Sequence, residues 1–264
     1  MKKKIIFLSV LIVLILCFIF RHQILDIWQG WTKEPVPESV SRKEIMNSNA
    51  NAGVNAGENL NISTNESAPE EIVLPKEFNL KVPFTTQSPF AEWTEQDNES
   101  CEEAAILTVH YYWQDKIFTK QIAKEELQKI VDFEINYFGF FKDTNTEQTA
   151  DLARKMWGYQ KVEVIWNPTI EDIKKEVYQG RPVILPTAGR KLGNPNFKSP
   201  GPIYHMLVVR GWNEKNIITN DPGTRKGENY QYSPDVLYKA IHDWNNGDID
   251  NGKKAMIVIY PNEQ

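Results

Sequence analysis

The sequence predicts an α+β domain, and three observations support this fold class. Helical patterns lie mainly in the first half of the region after residue 72, and short apolar runs typical of strands lie mainly in its second half. That segregation is typical of α+β folds rather than of alternating α/β folds. The composition, with 264 residues of which 41% are apolar and 25% charged, suits one globular domain with attached segments.

Residues 1–31 carry a predicted membrane-targeting segment. MKKK is followed by IIFLSVLIVLILCFIF, a run that is nearly all strongly apolar. The run is slightly short of the roughly 20 residues of a spanning helix, but Trp28 could extend it into the interface. No small-residue cleavage site follows it, and Ile15 and Leu16 are not the small residues that lipid attachment to Cys17 would need. We therefore expect an uncleaved single-pass signal anchor, with a removed signal peptide as the alternative.

The lysines before the apolar run predict the orientation of the chain in the membrane. Positive residues tend to stay on the cytoplasmic side, so Lys2, Lys3 and Lys4 favour a cytoplasmic N-terminus. The rest of the chain is then expected outside the cytoplasm at the cell membrane, or secreted if the segment is removed. The sequence leaves the oligomeric state open.

Residues 32–72 form a predicted disordered linker. The stretch NSNANAGVNAGENLNISTNESAPEE is rich in Asn, Ser, Glu and Gly and has few bulky apolar side chains. Such a segment cannot bury enough surface to offset the entropy lost on ordering. The linker would separate the membrane segment from a domain that we place at residues 73–264.

Within this domain, the helix near Cys101 has the clearest signal. Ser100 followed by Glu103 is a capping-box pattern, which would make Ser100 the N-cap and Cys101 the first helical residue. Apolar residues cover much of this helix, so we expect it to be buried. The other predicted helices are Lys120–Val131, Glu147–Trp157, Ile170–Gln179 and Ser233–Trp244. The predicted strands are Val162–Trp166, Pro182–Pro186, Ile203–Trp212, Ile217–Asn220 and Ala255–Tyr260.

Composition and short motifs exclude several classes of partner. The net charge is −5 and no long Lys/Arg block is present, so the sequence has no electrostatic feature for binding nucleic acid. It has no phosphate-binding glycine loop, dinucleotide fingerprint or paired-cysteine metal spacing, and we expect no cofactor.

Cys101 is the only cysteine outside the N-terminal apolar run, and its predicted place at a helix N-terminus suits a nucleophile. A thiol attacks as the thiolate, which the N–H groups and positive dipole of a helix N-terminus stabilise. Glu102 and Glu103 oppose this effect by repelling a second negative charge, so a cationic partner would be needed. A free cysteine is also often just a small buried apolar residue. A disulfide to Cys17 is not expected, because that residue lies in the membrane segment.

Of the four histidines, His205 is the best placed to be this partner. His22 flanks the membrane segment, His110 lies about 13 Å along the predicted helix from Cys101 at 1.5 Å per residue, and His242 lies on a late helix. His205 opens the run HMLVVRGW, where a polar residue at the mouth of a buried strand can face a cleft. The alternative is a surface histidine at the entrance of a strand.

Asp221 is the candidate acid for this histidine. After HMLVVRGW and a turn, the chain returns as IITNDPG, so Ile203 to Asp221 is expected to form a β-hairpin. Its open end would hold His205 and Asp221 on neighbouring strands, although NDPG is also an ordinary turn sequence. A symmetric turn leaves the two residues about three positions out of register, so a bulge or the reach of the side chains is required.

Together, VPFTTQSPFAEW, SCEEAAILTVHYY, GRPVILP, YHMLVVRGW and NDPG resemble the C39-like peptidase family of the papain-like cysteine peptidase superfamily. The resemblance covers roughly Lys81 to Trp244 and rests on a Gln, a Cys, a His and an Asp in that chain order. It implies a papain-like α+β fold, with N-terminal helices packed on an antiparallel sheet, and the activity of a cysteine peptidase.

The resemblance also implies a role for each site residue. Cys101 would attack an amide carbonyl, His205 would accept the thiol proton and pass it to the leaving amine, and Asp221 would orient the imidazole. The family stabilises the oxyanion with the cysteine N–H and a glutamine amide. Gln87, which ends VPFTTQ, fits the family motif, and Gln96, five residues before the cysteine, is the alternative. CEE replaces the more usual Cys-Gly, a departure that would alter access to the site or the acidity of the thiol.

These features favour a membrane-anchored cysteine peptidase or amidase that acts outside the cytoplasm on peptides or cell-wall amides. Members of the family that trim double-glycine leaders inside the cell do not indicate the substrate, because nothing here resembles a transporter. The alternative is a catalytically silent papain-like module that binds peptide or cell wall. A zinc site formed by Cys101, His205 and Asp221 is a third hypothesis.

Overall fold

The computed structural model of the chain describes residues 34–47 and 72–262. The predicted membrane segment, residues 1–31, lies outside the described residues, as does the larger part of the predicted linker. In the part of the chain that the structure describes, no helix combines the length and the apolar character needed to cross a membrane.

The described domain after residue 72 contains six α-helices and seven strands. The helices are α1 (Glu95–Asn98), α2 (Cys101–Trp113), α3 (Lys120–Phe138), α4 (Thr146–Trp157), α5 (Ile170–Tyr178) and α6 (Pro234–Ala240). The strands are β1 (Phe78–Asn79), β2 (Val162–Trp166), β3 (Val183–Ala188), β4 (Tyr204–Trp212), β5 (Ile217–Asn220), β6 (Tyr230–Tyr232) and β7 (Ala255–Ile259). The predicted α+β class and all of the predicted elements are confirmed, whereas the short elements α1, β1 and β6 had no prediction.

The ends of two helices differ from the prediction for identifiable reasons. Helix α3 runs on to Phe138 and ends at Gly139, which takes the left-handed conformation with φ 84° that favours glycine. Helix α6 ends at Ala240 instead of Trp244. It stops there because Ile241 forms a β-bridge with Thr187 of β3, so the chain is drawn into pairing with the sheet.

The predicted capping box of α2 is wrong, although the helix does begin at Cys101. Ser100 is the N-cap residue, but its side chain accepts no hydrogen bond from the helix. Its Oγ instead donates to the carbonyl oxygen of Gln96 at 2.9 Å, because α1 ends only two residues earlier and its last carbonyls need donors. The Glu103 side chain is consequently free of capping and is fully buried.

Residues 36–47, here called the N-terminal arm, pack against the domain although the sequence assigns them to the linker. Val40 forms a parallel β-bridge with Leu80. Arg42 donates from a guanidinium nitrogen to the carbonyl oxygen of Trp113 at 2.8 Å, at the end of α2. Ile45 also packs against the hydrophobic core of the domain. These contacts are few and join residues far apart along the chain, so they leave no regular apolar pattern in the sequence.

The seven strands form one antiparallel sheet in the order β2-β7-β3-β4-β5-β6, with β1 added against β4. Strand β4 is central to the site, since it pairs with β3, β5 and β1 and all nine of its residues are buried. Helix α2, which is buried along nearly its whole length, packs against β4 and β3. This contact brings the N-terminal end of α2 to the strand that carries His205.

A β-bulge at Arg210 sets the face on which Asp221 lies. Between β4 and β5, Gly211 pairs with Ile218, but the next pair is Val209 with Thr219, so Arg210 is the extra residue. Side chains alternate between the two faces of a sheet, and one inserted residue reverses the faces of everything beyond it. Without the bulge, Asp221 would lie on the face opposite to that of His205.

The side chain of Arg210 fastens this bulge to the segment that precedes Gln87. The buried guanidinium donates to the carbonyl oxygens of Leu80 at 2.5 Å and Val82 at 3.1 Å. It also donates to the side-chain oxygens of Asn79 at 3.0 Å and Asn220 at 3.3 Å. Gly211 is required beside it, because a Cβ there would lie 2.3 Å from the carbonyl oxygen of Phe78 in β1.

We expect Arg210→Met to lower the free energy of unfolding by about 2 to 4 kcal/mol, because it removes four buried hydrogen bonds and leaves their acceptors poorly satisfied. Urea denaturation followed by circular dichroism measures the change. The control is Arg190→Met, since the Arg190 side chain is exposed and makes one long bond to Gly201. Equal losses in the two variants would contradict the role given to Arg210.

Candidate active site

Strand β4 and the turn after β5 bring His205 and Asp221 together, as the sequence predicts. His205 Nε2 lies 2.8 Å from Asp221 Oδ1, and both side chains are buried. A carboxylate can only accept, so Nε2 carries the hydrogen and Nδ1 is the ring nitrogen left for proton transfer. The neighbouring strand fixes the histidine backbone, because Thr187 Oγ1 donates to the His205 carbonyl oxygen at 2.8 Å.

Asp221 is held by three further donors. Gly223 N–H donates to Oδ1 at 3.0 Å, while Asn194 Nδ2 at 3.1 Å and the Tyr232 hydroxyl at 2.5 Å donate to Oδ2. Burial raises the pKa of this carboxyl, but the charge and hydrogen bond of His205 and the other donors outweigh burial and lower the pKa below its usual value. The carboxylate is therefore ionised and fixed in orientation.

Two glycines and one aromatic ring enclose the imidazole. A Cβ at Gly223 would lie 2.9 Å from His205 Cε1, and a Cβ at Gly189 would lie 3.1 Å from His205 Cβ. The ring of Phe197 meets the imidazole edge-on, with 5.2 Å between the ring centroids. Larger residues at the two glycine positions would push against the ring or its backbone, so glycine allows the chain to pass this closely.

Cys101 occupies the first position of α2 and lies beside the residue that follows His205. The thiol is buried, with 6% of the residue exposed. The backbone N–H of Met206 lies close enough to Sγ to lower the pKa of the thiol, which places the sulfur next to β4. The thiol itself donates to Glu102 Oε2 at 2.9 Å, and no hydrogen bond joins Sγ to the His205 ring in the described part of the chain.

The surroundings of the thiol keep it protonated in this arrangement. Burial has the largest effect, followed by the charge of Glu102, and both raise the pKa of Cys101 well above its ordinary value; Glu103 adds to this in the same direction. The Met206 N–H acts in the opposite direction. The repulsion that the sequence predicted from Glu102 and Glu103 is therefore present in the structure.

Gln87 lies between the two halves of the site, whereas Gln96 lies on α1. The Gln87 backbone N–H donates to the carbonyl oxygen of Pro222, which directly follows Asp221. Its side-chain Nε2 donates to the carbonyl oxygens of Asp97 at 2.8 Å and Asn98 at 3.1 Å, just before α2. The Gln87 Oε1 atom is buried and has no hydrogen-bond partner among the described residues. Both amide hydrogens are thus taken by backbone carbonyls.

The geometry does not support His110, the histidine within α2, as the partner of Cys101, and it does not support the zinc hypothesis. His110 stacks on Trp157 with 4.0 Å between the ring centroids, and its Nδ1 lies 3.0 Å from the Tyr159 hydroxyl. Burial, with a smaller effect from Lys116, lowers its pKa to about 4. Among the described residues, no group of three or more His, Cys, Asp or Glu side chains is arranged to hold a metal ion.

Sequence reasoning missed the residues that hold Asp221, and it missed Glu134, which adds to the buried acids near Cys101. Asn194 lies in a loop and Tyr232 lies on a strand that had no prediction, so no spacing connects them to Asp221. Glu134 lies on α3 and meets Glu103 in the interior. The only sequence signal for Glu134 is a charged residue at a position of α3 where the helical pattern expects an apolar one.

The fold and site define a class of protein: an α+β domain with a buried cysteine at a helix N-terminus and a histidine–aspartate pair on the adjoining strands. The sequence pattern of the Peptidase_C39 like family matches residues 79–247. The chain therefore belongs to the C39-like peptidase family, and the predicted resemblance is confirmed. Membership of this family indicates a function like that of a cysteine peptidase.

A solved structure from Bacillus anthracis, provisionally described as a C39-like peptidase, is similar to this chain. The two are 15% identical with a TM-score of 0.47, and the match covers 69% of this chain and 96% of that one. Comparison with curated proteins gave no match.

We expect Tyr232→Phe to lower the free energy of unfolding at pH 7 by about 1.5 to 3 kcal/mol, because it removes a hydrogen bond to a charged carboxylate. Asp221 stabilises the fold above its unfolded-state pKa and loses this contribution as the pH falls through its lower folded-state pKa. The difference from the unaltered protein should therefore shrink below pH 4. Urea denaturation at several pH values measures it, with Tyr238→Phe at an exposed position as the control. A loss that does not change with pH would contradict this account.

Proposed function

We propose that this protein is a membrane-anchored cysteine peptidase or amidase that hydrolyses a peptide or amide bond outside the cytoplasm. The observation that carries the proposal is the 2.8 Å bond between Asp221, on the turn after β5, and His205, on the strand β4 that packs against α2, at whose start Cys101 lies. Family membership supports the reaction class. The membrane part rests on the apolar run that follows three lysines in residues 1–31.

The proposed reaction uses each group in a defined role. The thiol of Cys101 gives its proton to Nδ1 of His205, and the thiolate attacks the carbonyl carbon of the substrate. The imidazolium then protonates the leaving amine, and water hydrolyses the acyl-enzyme with the imidazole as base. Asp221 holds the ring through Nε2, so that Nδ1 keeps its direction, and stabilises the imidazolium by its charge.

The proposed oxyanion donors are the Cys101 N–H at the helix N-terminus and the Gln87 amide. Gln87 is favoured over Gln96 because its backbone and side chain join the turn after Asp221 to the residues just before α2. Donation to an oxyanion requires the amide to exchange one of its two backbone bonds, and the bond of 3.1 Å to Asn98 is the longer of the two.

An exposed apolar loop beside Gln87 supports a peptide substrate. Phe90 is 45% exposed and Trp93 is 37% exposed, and both lie on the loop that connects Gln87 to α1. Exposed aromatic side chains next to a catalytic group provide contact area for an extended peptide. This supports a peptide or a cell-wall cross-link as the substrate class.

We expect the purified full-length protein to cleave members of a peptide library and Cys101→Ala to abolish cleavage. Asp221→Ala should lower kcat by about 10²- to 10⁴-fold, because the imidazole loses its orientation. Mass spectrometry of the products measures both effects. Cleavage that survives in Cys101→Ala would contradict the proposal. Binding of peptides or cell-wall fragments without cleavage would favour a silent binding module instead.

The choice between the two glutamines has its own test. Gln87→Ala should lower kcat by about 10²- to 10³-fold, as expected for the loss of one oxyanion donor. Gln96→Ala is the matched control and should leave kcat within about twofold, because it removes no donor. Kinetics on the best library peptide measure both variants. The reverse order of effects would assign the oxyanion role to Gln96.

A further inference from the structure

Glu102 is in direct contact with the sulfur atom, although the reaction proposed above gives it no role. It is the second residue of α2 and is 1% exposed. Its Oε2 atom accepts the hydrogen bond of the Cys101 thiol at 2.9 Å. The nearby backbone N–H of Glu102 itself lowers the pKa of this carboxyl slightly, against the effect of burial. The thiol proton is thus directed to a carboxyl group and not to the imidazole.

The charged and titratable groups that face Glu102 come from α2, α3, β4 and the loop between α3 and α4. They are Cys101, Glu103, Glu134, Tyr204 and Asp143. None of them is a cation, so none neutralises Glu102. Burial and then the charge of Glu103 raise the pKa of Glu102 well above its usual value.

The neighbouring acids show by contrast why Glu102 is not merely a buried carboxyl. The four side-chain oxygens of Glu103 and Glu134 are buried and have no hydrogen-bond partner among the described residues. Burial, with a contribution from the charge of Glu102, raises the pKa of Glu134 to about 9. The carboxyl of Glu102 instead accepts a hydrogen bond from the Cys101 thiol, the proposed nucleophile.

We propose that Glu102 is a positioning residue of this site, whose carboxyl holds the Cys101 thiol in a resting arrangement. Attack begins when the thiol leaves Glu102 and gives its proton to His205. This inference rests on the proposed function. In the resting arrangement the S–H bond stays intact and its hydrogen lies between Sγ and Oε2. In the step to the active arrangement the proton passes to Nδ1 of His205, so the sulfur becomes the thiolate and the imidazole becomes the imidazolium.

Burial and Glu103 delay the ionisation of Glu102 to higher pH, and once it is ionised its carboxylate disfavours a thiolate beside it. At 2.9 Å, two negative charges in a buried site repel each other strongly, so the thiol retains its proton at a pH where an isolated thiol would begin to ionise. Replacing Glu102 with glutamine keeps the size and polarity of the side chain but removes the charge. The thiol should then ionise at lower pH.

The test is the rate at which iodoacetamide alkylates Cys101 in the full-length protein between pH 5 and pH 10. Peptide mapping by mass spectrometry separates Cys101 from Cys17, the other cysteine. In Glu102→Gln, we expect alkylation in the upper part of this pH range, where Glu102 of the unaltered protein is ionised, to be at least about tenfold faster, because one unit of pKa changes the thiolate fraction about tenfold. Glu134→Gln is the matched control, since it removes a buried carboxyl of the same cluster that does not contact Sγ.

The outcomes separate this inference from the proposed function. Superimposable pH profiles for Glu102→Gln and the unaltered protein would overturn the inference, and so would an equal gain in Glu134→Gln. His205→Ala is then added to Glu102→Gln. Loss of the gain supports both the inference and the pairing of thiol with imidazole. A gain that persists without His205 supports the role of Glu102 but contradicts the proposed Cys101–His205 pair.

Discussion

The site depends on one constraint of the sheet, the bulge at Arg210. His205 and Asp221 are sixteen residues apart on the two arms of a hairpin. The alternation of side chains means that an undisturbed ladder would direct them to opposite faces. One extra residue in β4 corrects the alternation, and the buried guanidinium of that residue holds the distortion in place. The same guanidinium binds the segment that leads to Gln87, so one side chain aligns three parts of the site.

The N-terminal end of helix α2, which lies beside this hairpin, carries acidic side chains and no cationic ones. Cys101 gains the positive end of the helix dipole but is followed by two buried glutamates, and a third approaches from α3. Most buried acids in proteins are paired with a cation or with several donors, as Asp221 is. The acids near the sulfur lack such partners among the described residues. The cluster therefore makes the reactivity of the thiol depend on which carboxyls hold protons.

Much of the fold and the main residues of the site could be predicted from local patterns. The helix start at Cys101 was predicted correctly from Ser100 and the apolar residues after it, although the Ser100 side chain bonds to Gln96 and does not cap the helix. The hairpin follows from two apolar runs around a short turn. The sequence also indicates that the hairpin needs a correction between His205 and Asp221. It does not indicate which residue is the extra one. The bulge forms at Arg210 because the Arg210 side chain makes tertiary hydrogen bonds to residues about 130 positions earlier. Asn194 and Tyr232 were missed for the same reason, since only the folded chain brings them to Asp221.

A crystal structure with a bound peptide aldehyde tests most directly whether Cys101, His205 and Asp221 act in a single site. We expect a covalent bond from Sγ to the aldehyde carbon, with Glu102 no longer bonded to the sulfur. Nδ1 of His205 should then lie within about 3.5 Å of the sulfur, near hydrogen-bond reach. An aldehyde that does not add to Cys101, or a sulfur that stays more than about 6 Å from the imidazole in the complex, would contradict the account.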